Sequence, residues 1–272
     1  MNLIKEVNIK SFSRLIWKTA ESKNTWESCI SRISSFVSEL EILSVVEDHR
    51  KAAWQTISED EMTTFSERMN KQGLYAVPIA RVAKFEGFAH RHEAPSKDKI
   101  SNICVIVAKT LSIVEEFRHA YHAKDSVIQG RLLGYPECCS HFFQKVWAQG
   151  FIDPIWQMAE NSKRVEKLDG NSVKVFASPY SNPLLRYIGV RAGFHIPCAF
   201  DCEESVKVNK QRLELGHKID SQLCSKLEKL LRLPMRWDVL NGIGQVSTPY
   251  FYIVFQSVPV TEKYSVEVVS CD

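Results

Sequence analysis

Apolar residues recur every three to four positions early in the chain. Thr25 stands as an N-cap before Trp26, Cys29, Ile30, Ile33, Val37, Leu40 and Leu43, a spacing that lays one stripe along a helix. Cys29 lies in that stripe and reads as a core residue. Ser58 and Glu61 have capping-box spacing before Met62, Phe65 and Met69, and Gly73 is placed to end that helix. The period then changes. Residues 74–81 read as a strand with Pro78 at an edge or bulge, and 96–99 as a polar loop. The β-branched run 103–108 reads as a buried strand. A helix over 111–128 turns Leu111, Val114, Phe117, Tyr121 and Ile128 inward. Another strand falls at 173–177. A helix at 221–231 buries Leu223, Leu227 and Leu230, with Cys224 beside them. Asn241-Gly242 marks a hairpin turn between strands at 237–240 and 250–255. Helices and strands mix without regular βαβ alternation. The expected class is α+β: a helical N-terminal region, 1–73, packed on a mixed α/β domain, 74–272, with a C-terminal β-hairpin.

At 272 residues the chain is long enough for a sizeable core. Lys plus Arg is 35 and Asp plus Glu is 32, a net charge of +3, too weak a basic balance to argue for nucleic acid. The first residues lack the apolar core of a signal peptide, and the longest purely apolar run, 103–108, is too short to span a membrane. A reducing cytoplasm is expected. There, eight cysteines point to metal binding or catalysis rather than disulfides. The chain has no Walker A loop, no G-x-G-x-x-G after a strand and no G-x-S-x-G, which leaves ATP, NAD and serine-hydrolase chemistry without support.

The candidate chemistry lies in two short stretches. The first is Gly130-Arg-Leu-Leu-Gly134-Tyr-Pro136-Glu137-Cys138-Cys139-Ser-His141. Gly134 suits the left-handed stop of one helix, Pro136 the first position of the next and Glu137 its first turn. The second is His195-Ile-Pro-Cys198-Ala-Phe-Asp201-Cys202-Glu-Glu204, where Asp201 and Glu204 have N-cap and N3 spacing. Both cysteine pairs thus fall at predicted helix N-termini. Free N–H groups and the helix dipole there favour a thiolate or an anionic metal–thiolate centre. The spacing is neither that of a zinc finger nor that of a ferredoxin run. Four merely structural cysteines are the alternative. His195, Arg131 and Glu137 are candidates for proton and anion handling beside the thiols. Secondary candidates are His141, three residues after Cys138, and Arg186 and Arg191. Glu115, His119 and His122 share one helix flank that is otherwise a solvated polar edge, and Asp125 lies near the apolar stripe.

At Gly-Arg-Leu-Leu-Gly-Tyr-Pro-Glu-Cys-Cys and His-Ile-Pro-Cys-Ala-Phe-Asp-Cys-Glu-Glu-Ser the chain resembles the family called domain of unknown function 483, over at least residues 125–216. The resemblance implies the paired cysteine elements but carries no reaction. A looser likeness, by analogy, is to epoxyqueuosine reductases and thiouracil desulfidases, which hold a four-iron cluster with an adjacent cysteine pair. The leading expectation is a metalloenzyme with a 4Fe-4S cluster on Cys138, Cys139, Cys198 and Cys202. It would act on a small-molecule substrate by sulfur transfer, desulfuration or reduction, with an electron donor as a possible partner. Zinc, catalytic or structural, is the alternative. Metal-free thiol chemistry and an RNA-binding module are the further readings.

Overall fold

The computed structural model describes residues 13–83, 101–149, 153–257 and 262–271. The expected loop at 96–99 lies outside them. The chain begins with β1 (Ser13–Trp17), α1 (Ala20–Val46), β2 (Ala52–Ser58), α2 (Met62–Asn70) and β3 (Tyr75–Ala83). It continues through β4 (Ser101–Ala108), α3 (Leu111–His122), α4 (Ser126–Leu132), α5 (Glu137–Phe143) and α6 (Pro154–Asn161). Then come β5 (Val165–Lys167), β6 (Ser172–Ala177), α7 (Glu203–Ile219) and α8 (Ser221–Leu231). Four strands close it: β7 (Met235–Leu240), β8 (Ile243–Ser247), β9 (Phe251–Gln256) and β10 (Tyr264–Ser270).

These form two sheets, and the class is α+β. The larger runs β1-β9-β8-β7-β10-β6-β5, with only β10–β6 parallel; the smaller is the antiparallel set β2-β4-β3. In the large sheet the apolar positions alternate. Met235, Trp237 and Val239 face the core with Phe251, Ile253 and Phe255, as expected of an antiparallel sheet covered on one face. β4 is instead buried on both faces. Ile103, Val105 and Val107 pack on α2 and the end of α1, and Ile106 and Ala108 pack on α3 and α4.

Helix α1 is capped six residues before the expected position: Thr19, rather than Thr25, is the N-cap and accepts the Ser22 N–H. Its 27 residues reach about 40 Å at 1.5 Å each. That length lets Trp26 through Leu40 enter the core of the large sheet while Ile42 and Val45 enter that of the small one. The first 73 residues are therefore not helical throughout: they supply β1 to one sheet, β2 to the other and α1 to both cores.

Other expectations need adjustment. Ser58 makes no side-chain cap, and a 3-10 turn, Glu59–Glu61, intervenes before α2. The helix expected over 111–128 breaks at Lys124, whose φ is +57°, because the Asp125 carboxylate caps a new helix by accepting the Val127 and Ile128 N–H groups. Leu111 is exposed rather than inward. The Asn241-Gly242 turn is present, but the strand it returns is β8, and β9 pairs on β8's other edge. Pro78 does sit at a register shift, on edge strand β3.

Two glycines bring α5 to the site. Gly134, at φ +67°, ends α4 in a Schellman turn: the Tyr135 N–H reaches the Gly130 carbonyl and the Gly134 N–H that of Arg131. A Cβ on Gly134 would stand 2.9 Å from that of Arg50, and one on Gly130 would strike the Ser140 hydroxyl of α5. Gly134→Ala is expected to cost about 2 kcal/mol, combining the left-handed penalty of about 1–2 kcal/mol with the clash. Gly73→Ala, also left-handed but with open space around it, should cost only the first part. Urea titration of both variants checks the difference.

Candidate metal centre

Cys138 and Cys139 occupy the first turn of α5. The helix opens at Pro136, which is the N-cap rather than the expected first helical residue; its carbonyl accepts the Cys139 and Ser140 N–H groups. Cys198 lies in the loop before α7, and Cys202 is the N-cap of α7 itself. Asp201, expected there, instead accepts the Lys163 main-chain N–H. The loop is anchored by the fully buried Phe200 ring. The Phe200 N–H donates to Ser162 Oγ, its carbonyl accepts from the Ser178 N–H and the Ser181 hydroxyl, and the Asn161 amide donates to the Cys198 carbonyl. The C-terminal end of α6 thus fixes the second cysteine pair, as the Gly134 turn fixes the first.

The two pairs converge. The Cys138 sulfur is 3.8 Å from those of Cys139 and Cys202, and the Cys139 and Cys202 sulfurs are 3.7 Å apart. All four sulfurs, Cys198 included, lie within 4.8 Å of one another. These separations far exceed the ~2 Å of a disulfide bond, and all four thiols are free. Cys139 and Cys202 are buried, Cys198 is half-buried and Cys138 is exposed. Cys29, Cys104 and Cys224 are buried elsewhere in the apolar cores.

The four thiols shift one another's ionisation. Cys202 is pulled far below the usual thiol range by hydrogen bonds from the Cys139 and Cys198 thiols, and the Ser205 hydroxyl and main-chain N–H add to this against the cost of burial. The others move up. Cys139 is raised by its contacts with Cys198 and Cys202 and by burial. Cys139 draws Cys198 down, but Cys202 and burial outweigh it and push Cys198 to about 12. Burial, then the Cys202 charge, raises Cys138. A second thiolate is thus opposed by the first, until a cation arrives and deprotonates its ligands.

Ser205, fully buried one turn into α7, links this cluster to His195. Its hydroxyl is 3.2 Å from the Cys139 sulfur and 2.7 Å from His195 Nε2. The His195 ring lies against that of Tyr135 at 5.2 Å. Burial and the nearby Arg212 charge depress the His195 pKa to about 3, so the ring stays neutral. His195 is thus joined to the Cys139 sulfur by way of the Ser205 hydroxyl. Ser205 stands three residues after Cys202, on one helix face with it, and that spacing was the available signal for it. Ser205→Ala is expected to weaken metal binding by about 10- to 100-fold, the usual effect of removing a group that orients a ligand. Competition with a chromophoric chelator measures it.

The other candidates are not at the sulfurs. Arg131 is exposed on α4 and ion-paired with Glu116. Glu137 is exposed and 3.6 Å from His141, which thus faces a carboxylate instead of Cys138. Glu115 pairs with Arg118, His119 and His122 are exposed on the same helix, and Asp125 is the α4 cap. Arg186 and Arg191 line a cavity behind the His195 segment.

No protein-family model, no curated protein and no solved structure matches this chain. No helix among the described residues is long and apolar enough to cross a membrane.

Proposed function

We propose that the protein holds one metal ion, zinc, on Cys138, Cys139, Cys198 and Cys202, and that the ion staples α5 to the start of α7. The spacing of the sulfurs carries this reading. Four thiolates about 2.3 Å from one zinc form a tetrahedron whose edges are about 3.8 Å. Three of the edges here are 3.7–3.8 Å. In a 4Fe-4S cluster each thiolate binds a different iron, so the ligand sulfurs enclose a far larger core and stand farther apart. The expected cluster would require α5 and the 198–202 loop to separate. A full set of four thiolates makes a closed, structural zinc site. The Ser205 hydroxyl and the Cys198 N–H, 3.4 Å from the Cys139 sulfur, are the donors that a tetrathiolate centre with net negative charge needs.

Thiol catalysis without metal fits less well. The sulfur most disposed to ionise, Cys202, is buried, whereas the exposed Cys138 has its pKa raised. Elemental and acid-labile sulfide analysis after anaerobic expression with both iron and zinc supplied tests the proposal. It predicts a colourless protein with about one zinc per chain. A brown protein with iron and sulfide in equal amounts would replace it with a cluster and restore sulfur transfer or reduction as the activity to assay.

A further inference from the structure

A cavity of about 830 Å³ opens between α1, β2 and the segment 186–194. Its size suits a small organic ligand. Its wall has two guanidinium groups, Arg186 and Arg191, and, among the described residues, no carboxylate. Arg186 is held in place by the Pro183 carbonyl and the Tyr187 hydroxyl. Arg191 is different. Its guanidinium lies flat on the Phe194 ring, 3.5 Å from the centroid, and Nε is buried without a hydrogen-bond partner. Among the described residues nothing pairs with its charge. Burying an unpaired cation is costly, and a stacked guanidinium keeps its N–H edges free to pair two oxygens of a phosphate. The rest of the wall is mixed: hydroxyls and amides from Ser34 and Ser38 of α1, Gln55 and Thr56 of β2, and Asn102 of β4 stand beside the apolar Leu15, Ile30 and Ile188. Trp54 adds an aromatic surface.

We infer that this cavity binds a phosphorylated sugar or nucleotide, with the phosphate on Arg191 and the hydroxylated body along the α1 and β2 side chains. The charge complement, the hydroxyl-rich wall and the volume each point to that class. The site is distinct from the metal centre: none of the four cysteines lines it.

Isothermal titration of the full chain with adenosine 5′-monophosphate, ribose 5-phosphate, adenosine and inorganic phosphate tests this. One or both phosphate esters should bind at least tenfold more tightly than adenosine or inorganic phosphate. Arg191→Gln should weaken the ester at least tenfold while leaving any adenosine binding unchanged, and Arg191→Lys should weaken it less. Ser38→Phe, which narrows the cavity without touching the arginine, should also abolish binding, and it serves if the arginine variants fail to fold. No ester binding at millimolar concentration, inorganic phosphate binding as tightly as the esters, ester binding indifferent to a folded Arg191→Gln, or ester binding indifferent to Ser38→Phe would overturn the inference.

Discussion

Cys139→Ser should reduce bound zinc from about one per chain to a small fraction and weaken affinity by about a thousandfold, or about 4 kcal/mol at 1.4 kcal/mol per tenfold. Cys139 is the buried centre of the cluster. It touches Cys138, Cys202 and the Ser205 hydroxyl, and it accepts the Cys198 N–H. A serine oxygen is a poor substitute ligand and reaches less far. Because the metal binds only the folded chain, lost affinity appears as lost stability. At roughly 2–4 °C per kcal/mol for a chain near this size, the Tm should fall by roughly 10 °C in zinc-containing buffer. The same buffer with chelator should bring wild type and variant together. Cys224→Ser is the control: its sulfur lies in the large-sheet core, so it should lower the Tm without changing zinc content. Cys138→Ser should retain more zinc than Cys139→Ser, since water reaches its exposed position and can complete the shell. Zinc content and thermal melts of the three variants, with and without chelator, check all of this.

Glu41→Leu is expected to cost about 3–5 kcal/mol, the typical penalty for breaking a buried ion pair from one side. Glu41, on α1, is ion-paired with both Arg50 and Arg212, and all three side chains are almost wholly buried. Arg50 also donates to the Leu133 carbonyl, in the turn that leads into α5, and lies over the Tyr135 ring. Arg212, on α7, donates to the Ala192 carbonyl and to Asn209. One carboxylate thus ties α1 to both elements that carry the cysteines. Burial, together with the Arg212 charge, already lowers the Arg50 pKa to about 9, and burial lowers that of Arg212 to about 10. Without Glu41 the two guanidiniums repel each other in a dry site. The triple variant Glu41→Leu, Arg50→Met, Arg212→Met should be more stable than Glu41→Leu alone, because it leaves no buried charge unpaired. Denaturant titration measures both. Equal loss in the single and triple variants would mean that packing volume, and not charge, sets the cost.

The expected elements that hold are those whose signal is local. The run 103–108 has no polar residue, and it is the doubly covered β4. The helix at 221–231 has both its period and its Asp220 cap in the sequence. Cysteine convergence was legible because Gly134, Pro136 and the short loop before Cys202 each mark a helix boundary. What stayed hidden depends on partners distant in sequence. β1 is five residues, SRLIW, with Ile16 exposed, and it is a strand only because β9 offers an edge. β8 carries Gly244 and Gln245 at its middle, which reads as loop; the glycine is needed because a Cβ there would strike the Phe255 ring. The Glu41–Arg50–Arg212 cluster joins residues far apart in the chain, and no spacing rule links them. Arg131 beside the cysteine motif drew attention by proximity in sequence, yet a helix face turns it toward Glu116.

X-ray absorption at the zinc edge on the isolated protein reads the ligand shell of the four cysteines itself. Four sulfur neighbours at about 2.3 Å and no second metal nearby are expected. A shell with fewer than four sulfurs, or a metal–metal vector from a multinuclear cluster, would overturn the closed zinc site.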